Sequence, residues 1–160
     1  ARTNIAVVCA GIKSVLDIGR TLEYLETMGV PVVGFRTNTV PAFYARSSGF
    51  PVDYRVDDSM DAARAVRTKI KLGIDGAVLV TNPVPQEHAL DGAEIDGTIA
   101  LAISEMNKLG VTGKETTPFL LAKIAEETGG ESLQANIELV LNNARLAAEI
   151  ALHYSQIMSP

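Results

Sequence analysis

Short apolar runs alternate with stretches of helical periodicity along this chain, and this alternation limits its possible folds more than any other feature. Three such runs lie at residues 5–9, 31–35 and 76–81. They are rich in β-branched residues, as is typical of strands, and residues 52–56 are a further candidate, for a short edge strand. Strands that alternate with helices indicate an α/β fold with parallel strands.

The helical stretches complete the predicted fold. They lie at residues 14–28, 59–72, 92–109, 118–128 and 132–153. We therefore expect an α/β fold with helices layered around a mostly parallel or mixed sheet, and a helical carboxyl third. Residues 1–154 should form a single α/β domain, or the carboxyl-terminal half of a larger one, followed by a frayed tail at 155–160. Ser132 is the predicted N-cap of the last helix, and Ser14 with Asp17 resembles a capping box.

Composition narrows the classes of partner and compartment. A hydrophobic content of 47% and a mean hydropathy of +0.17 fit parallel strands that are covered on both faces. The net charge of −5 argues against a surface that binds nucleic acid or an anionic membrane. Cys9, the single cysteine, excludes a disulfide within the chain. With no apolar run of membrane-spanning length and no signal peptide, we expect a cytoplasmic location, or an organelle in a eukaryote.

Lys13 stands where the first predicted strand gives way to the first predicted helix. Ligands of open α/β sheets bind at the carboxyl ends of strands, where helices present their amino ends. The positive end of a helix disfavours a charged amine, and a neutral lysine can attack a carbonyl to form a Schiff base. A lysine that binds phosphate, or that lies on the surface without a function, fits the same pattern. The residues alone leave these interpretations open.

Other polar residues suggest a site without completing one. The irregular segment 37–51 follows a strand end, and Asn136 and Asn143 share one face of the last predicted helix. That face either lines a polar site or is solvated. The glycine-rich dinucleotide and phosphate loops are absent, and His88 and His153 lack the spacing of metal ligands. No carboxylate pair shows the arrangement expected for acid–base catalysis.

Five segments together resemble one known family. They are residues 7–17, 21–27, 41–49, 113–121 and 142–148. The family is that of pseudouridine-5′-phosphate glycosidase, which includes the indigoidine synthase A-like proteins. The resemblance runs from about residue 2 to residue 152, nearly the whole chain.

The resemblance implies reversible cleavage of the C–C glycosidic bond of pseudouridine 5′-phosphate to uracil and ribose 5-phosphate. Lys13 matches the lysine that holds the sugar as an imine in that family. Asn136 matches its base-contacting asparagine, and the pair Asn142 and Asn143 is a weaker match for the same role. The resemblance also implies a homotrimer with a divalent metal, typically manganese (Mn2+), near the phosphate.

The chain departs from the family pattern in length, because family members are roughly twice as long. Their proton-donating glutamate, a second substrate lysine, most phosphate contacts and the metal-binding aspartate belong to the half before Ala1. We therefore expect a carboxyl-terminal half that supplies the nucleophile, holds no metal through its own residues and is inactive without the amino-terminal half. The alternatives are a non-catalytic domain of the family that binds sugar phosphate or serves assembly, and an unrelated phosphate-binding protein that uses Lys13 as a charge.

Overall fold

A computed structural model describes residues 3–13 and 15–158 and confirms the predicted α/β class. Its strands are β1 (Ala6–Cys9), β2 (Val32–Phe35), β3 (Tyr54–Val56) and β4 (Val78–Thr81). Its helices are α1 (Ile18–Thr27), α2 (Ser59–Lys71), α3 (Gly92–Lys108), α4 (Thr116–Glu127) and α5 (Glu131–Met158), with single 3-10 turns at Gln86–His88 and Gly113–Glu115. None of the helices in the described residues could cross a membrane.

The four strands form one parallel sheet in the order β1-β4-β2-β3. β4 lies between the first two strands of the chain, pairing Leu79 with Val7 on one side and with Val32 on the other. Because all four strands run in the same direction, the loops after β1, β2 and β4 meet at one edge of the sheet. That carboxyl edge contains Lys13, the irregular segment and Asn82.

Helices cover both faces of the sheet, as the hydrophobic strands require. α1 packs its Leu22 and Leu25 on the face that carries Val32 and Leu79. α2 and α5 cover the opposite face, where their side chains form one cluster with strand residues. The buried members of that cluster are Val33, Val56, Ala62, Ala63, Val66, Val78, Val80, Leu146 and Ile150.

A second apolar cluster lies around the segment after β2. α3 and α4 pack against each other and enclose Tyr44, which is only 4% exposed. Ile95 and Ile99 contribute from α3, and Leu120 and Ile124 contribute from α4. The helical carboxyl third therefore holds the loops of the carboxyl edge in place.

Two predicted helix starts need correction. α1 begins at Ile18 rather than at residue 14, and its N-cap is Asp17, whose side chain accepts the Arg20 amide at 2.9 Å. Ser14, the other half of the predicted capping box, lies outside the described residues. Ser132 is not the N-cap of α5, because the helix already includes Glu131 and because the Ser132 amide donates to Thr128 Oγ1 at 3.2 Å.

The last helix is longer than its sequence pattern predicts. α5 continues to Met158, so residues 155–158, where we expected fraying, are helical. Residues 159 and 160 of the predicted tail lie outside the described residues. α5 has 28 residues and extends along both β1 and α2.

Lys69 fixes the loop that leads into β4, and its replacement should be costly. Its Nζ donates to the carbonyls of Ile74 (2.9 Å), Asp75 (2.7 Å) and Gly76 (2.8 Å), and the residue is 9% exposed. Lys69→Met keeps most of the stem but leaves these carbonyls without their donor, so we expect the free energy of unfolding in urea to fall by about 2–3 kcal/mol. Lys71→Met, at an exposed position of the same helix, should change it by less than about 0.5 kcal/mol. Equal losses in the two variants would contradict this role.

Candidate active site

The loop that carries Lys13 is bonded to the segment after β2 through the main chain. Gly11 has a positive φ of 82°, and the Ile12 amide donates to the Pro41 carbonyl at 3.2 Å. The Phe43 amide donates in turn to the Ala10 carbonyl at 3.1 Å. These two bonds fix the path of the chain immediately before Lys13.

The amine of Lys13 lies over an aromatic ring. Its Nζ is 5.5 Å from the centroid of Phe43, within the range of a cation–π contact. Phe43 has a positive φ of 64°, uncommon for a bulky residue, and its ring meets Tyr44 edge-on with 4.9 Å between centroids. Lys13 is itself half-buried. The ring thus gives the side chain a defined direction at the carboxyl edge.

A small apolar void adjoins Lys13. It measures about 20 Å³ and is bounded mainly by α4 and by the two aromatic residues. Its lining residues are Lys13, Val15, Phe43, Tyr44, Thr117, Leu120, Leu121 and Ile124. A volume of this size holds about one water molecule, so a sugar phosphate has to approach from the exposed side of the amine. None of these lining residues carries a carboxylate that could act as a proton donor.

Amide side chains join α5 to the end of β4. Asn82 is 5% exposed, and its Nδ2 donates to Asn143 Oδ1 at 3.2 Å. Asn142 Nδ2 donates to the Pro83 carbonyl, also at 3.2 Å. Asn142 and Asn143 therefore pair with the carboxyl edge instead of forming a solvated face.

Asn136 is half-buried on α5, two turns before Asn143. One turn after Asn136, Leu139 is buried in a cluster with Ala10 and Val84, which follow β1 and β4. This places Asn136 beside the carboxyl edge. Among the described residues, no hydrogen bond or ion pair joins Asn136 to Lys13. Phe43, which lies under the Lys13 amine, also packs on the cluster of Leu139.

Two contacts at the carboxyl edge could not be predicted from the sequence. Burial raises the pKa of the Tyr44 hydroxyl, and its interaction with the Ser132 side chain acts in the opposite direction. Arg46 donates from Nη1 to the Val84 carbonyl. Both contacts join the segment after β2 to distant parts of the chain, so no local sequence pattern predicts them.

Two other candidate groups offer no additional chemistry. Burial raises the pKa of the Cys9 thiol, which fits its interpretation as a small buried side chain rather than a nucleophile. In the described parts of the chain, no group of three histidine, cysteine, aspartate or glutamate side chains could hold a metal ion. The described residues therefore do not fit the manganese ion that the resemblance implies.

Comparison with known proteins identifies the family of this chain. The family model described as indigoidine synthase A-like protein matches residues 1–153. This chain belongs to the indigoidine synthase A-like family.

Curated relatives of this indigoidine synthase A-like chain are named pseudouridine-5′-phosphate glycosidase. The relative from Caldanaerobacter subterraneus is 57% identical over 157 residues, 98% of this chain and 51% of its own length. The relative from Hahella chejuensis is 56% identical over 96% of this chain and 51% of its own length. The Escherichia coli relative is 50% identical over 98% of this chain and 50% of its own length. The chain thus spans about half the length of the curated relatives it matches.

Solved structures of the same family share the fold. The prealnumycin C-glycosynthase AlnA, in complex with ribulose 5-phosphate, is 38% identical with a TM-score of 0.88. The match covers 98% of this chain and 51% of AlnA. An indigoidine synthase A-like protein from Thermotoga maritima is 39% identical with a TM-score of 0.82, over 93% of this chain and 49% of its own.

Proposed function

We propose that this chain supplies the nucleophile half of a pseudouridine-5′-phosphate glycosidase. The observation that carries the proposal is Lys13 at the carboxyl end of a parallel strand, in a chain 50–57% identical to relatives of that name. The complex of AlnA with ribulose 5-phosphate supports a sugar phosphate as the class of substrate. The substrates are pseudouridine 5′-phosphate in one direction, and uracil with ribose 5-phosphate in the other.

A C-glycoside has no heteroatom leaving group at the bond to be broken, so a covalent route is needed. The Lys13 amine takes the place of the ring oxygen at C1′, and that oxygen leaves as a hydroxyl. When the bond from C1′ to uracil breaks, its electron pair stays with the base, whose C5 takes a proton. The nitrogen lone pair forms a C=N bond to C1′, and water then releases ribose 5-phosphate and restores the amine.

The chain's other residues bind and position the substrate. Asn136 holds the edge of uracil through its amide, and the Asn82–Asn143 pair keeps α5 fixed against the carboxyl edge. The aromatic wall of Phe43 directs the Lys13 amine. The proton donor, the phosphate contacts and the manganese site belong to the half of the family's length that has no counterpart here, and the assembly is a homotrimer.

The proposal is tested by mixing the chain with the unmatched half of the Caldanaerobacter relative, and by assaying uracil and ribose 5-phosphate with Mn2+ present. We expect a product with the mass of pseudouridine 5′-phosphate, and none from either half alone. If the mixture forms a complex but no product, the chain is a non-catalytic binding or assembly domain. If either half alone turns over at the rate of the mixture, the half-enzyme proposal is wrong.

Asn136→Ala should weaken uracil binding without affecting the sugar. Losing the hydrogen bonds to the base is expected to raise the KM for uracil about 10- to 100-fold. The imine between Lys13 and ribose 5-phosphate, trapped with borohydride and quantified by mass spectrometry, should form as in the parent. Asn107→Ala, at an exposed position of α3, is the matched control and should change neither quantity. An unchanged KM in Asn136→Ala would remove this residue from the base site.

A further inference from the structure

α5 carries a second apolar face that is not used against the sheet. Its seven members recur at helical spacing and are interrupted by no charged residue; we call them the α5 stripe. They are Leu133, Ile137, Val140, Leu141, Ala144, Ala148 and Leu152. Its five larger side chains are between 43% and 57% exposed, and both alanines are exposed as well. The helix packs on the sheet through a different face, which includes Leu146 and Ile150.

The α5 stripe continues towards an open edge of the sheet. β1 is an edge strand that pairs only with β4 among the described residues, and Ile5 and Val7 are 51% and 41% exposed. A groove of about 320 Å³ runs between β1, α2 and α5. Its α5 wall includes Ala147, which lies on the helix between the sheet-facing side and the stripe, and Ala151, which lies in line with Leu133 of the stripe. The edge, the groove and the stripe together form one surface, named here the β1–α5 surface.

This surface has the properties of an interface in a larger fold. Strands of parallel sheets are normally covered on both faces, yet Val7, which lies on the α1 side of the sheet beside Leu79, stays 41% exposed. An unpaired edge strand is a template for another strand, and contiguous exposed apolar surface marks an interaction site. No lysine, proline or bulge blocks the β1 edge, although edges that face water usually carry one.

The relatives indicate what covers the surface. They match nearly all of this chain with 50–51% of their own length, so each relative has a part of about the same length without a counterpart here. We infer that this half docks on the β1–α5 surface, adding a strand beside β1 and an apolar layer over the α5 stripe. A second copy of this chain could bind the β1–α5 surface only in place of that half. The inference goes beyond the proposed function because it concerns assembly and requires no turnover.

The probe is the half of the Caldanaerobacter relative that this chain does not match, produced together with the chain. Native mass spectrometry and light scattering should show equal numbers of the two polypeptides in one complex. Ile137→Glu combined with Leu141→Glu should weaken association at least about 10-fold, because the complex would bury two carboxylates without partners. Leu101→Glu combined with Leu109→Glu, at exposed positions of α3 and its C-cap, is the matched control and should leave association unchanged.

Val7→Lys tests the strand edge independently of the helix and should also weaken the complex. Circular dichroism of each variant shows whether it folds; all of the substituted side chains are exposed, so we expect the spectrum of the parent. Association that survives both the stripe and the edge substitutions overturns the inference. Failure of the unmodified chain to bind the probe also overturns it, as does a homodimer that the same substitutions disrupt. Since association is read from mass, a complex without activity would defeat the proposed function and leave this inference standing.

Discussion

Replacing Lys13 with alanine is expected to abolish the borohydride-trapped adduct with ribose 5-phosphate and to lower C–C bond formation on the order of 1000-fold or more. The effect is large because the variant lacks the only atom that bonds to C1′ in the proposed reaction. The measurement is made on the chain mixed with the complementary half of the Caldanaerobacter relative. Intact mass after reduction reports the adduct, and the rate of product formation reports turnover.

Lys13→Arg separates a nucleophile from a simple positive charge. A guanidinium keeps the charge over the Phe43 ring but stays protonated and forms no imine. If Lys13 only attracted phosphate, this variant would bind ribose 5-phosphate about as well as the parent and lose little activity. If Lys13 is the nucleophile, Lys13→Arg should lose the adduct and turnover as completely as Lys13→Ala does. Lys114→Ala, at an exposed position, is the control and should keep both. An adduct that persists in Lys13→Ala would assign the chemistry to another amine.

Strands β1, β2 and β4 could be predicted from the sequence because each lies in a local apolar run bounded by turn residues. Their order could not. β4 lies between β1 and β2, and its pairing of Val78 with Ala6 joins residues that no local periodicity connects. The helix starts failed for a related reason. Ser132 and Thr128 are both suitable cap residues by type, and only the structure shows that Thr128 Oγ1 accepts the Ser132 amide.

The candidate site divides in the same way. The position of Lys13 after β1 follows from the strand-to-helix pattern together with the family resemblance. The groups around it do not, because Phe43 and Thr117 reach it only through the tertiary fold. The bond between Asn82 and Asn143 spans 61 residues, and its two amides have no sequence feature in common. Where a function needs groups from distant segments, one sequence identifies the candidates and the fold selects among them.

Gly11→Ala should be the most damaging small substitution at the carboxyl edge. A Cβ at this position would lie 1.8 Å from the Pro41 carbonyl oxygen, far inside van der Waals contact, and the φ of 82° is itself unfavourable for alanine. The clash is with main chain, so relief requires separating the Lys13 loop from the segment after β2. We expect the free energy of unfolding in urea to fall by about 3 kcal/mol or more.

Gly29→Ala isolates the backbone contribution to that loss. Gly29 also has a positive φ, of 65°, but its Cβ would meet nothing within 4 Å. The free energy of unfolding of Gly29→Ala should therefore fall only by the conformational cost of a positive φ, about 1–2 kcal/mol. The difference between the two variants measures how tightly the loop before Lys13 is held against Pro41. Because that contact also directs the amine, Gly11→Ala should form the ribose 5-phosphate adduct more slowly even where it remains folded, and Gly29→Ala should not. Equal destabilisation with equal adduct formation would mean that the loop yields easily and that the position of Lys13 is set elsewhere.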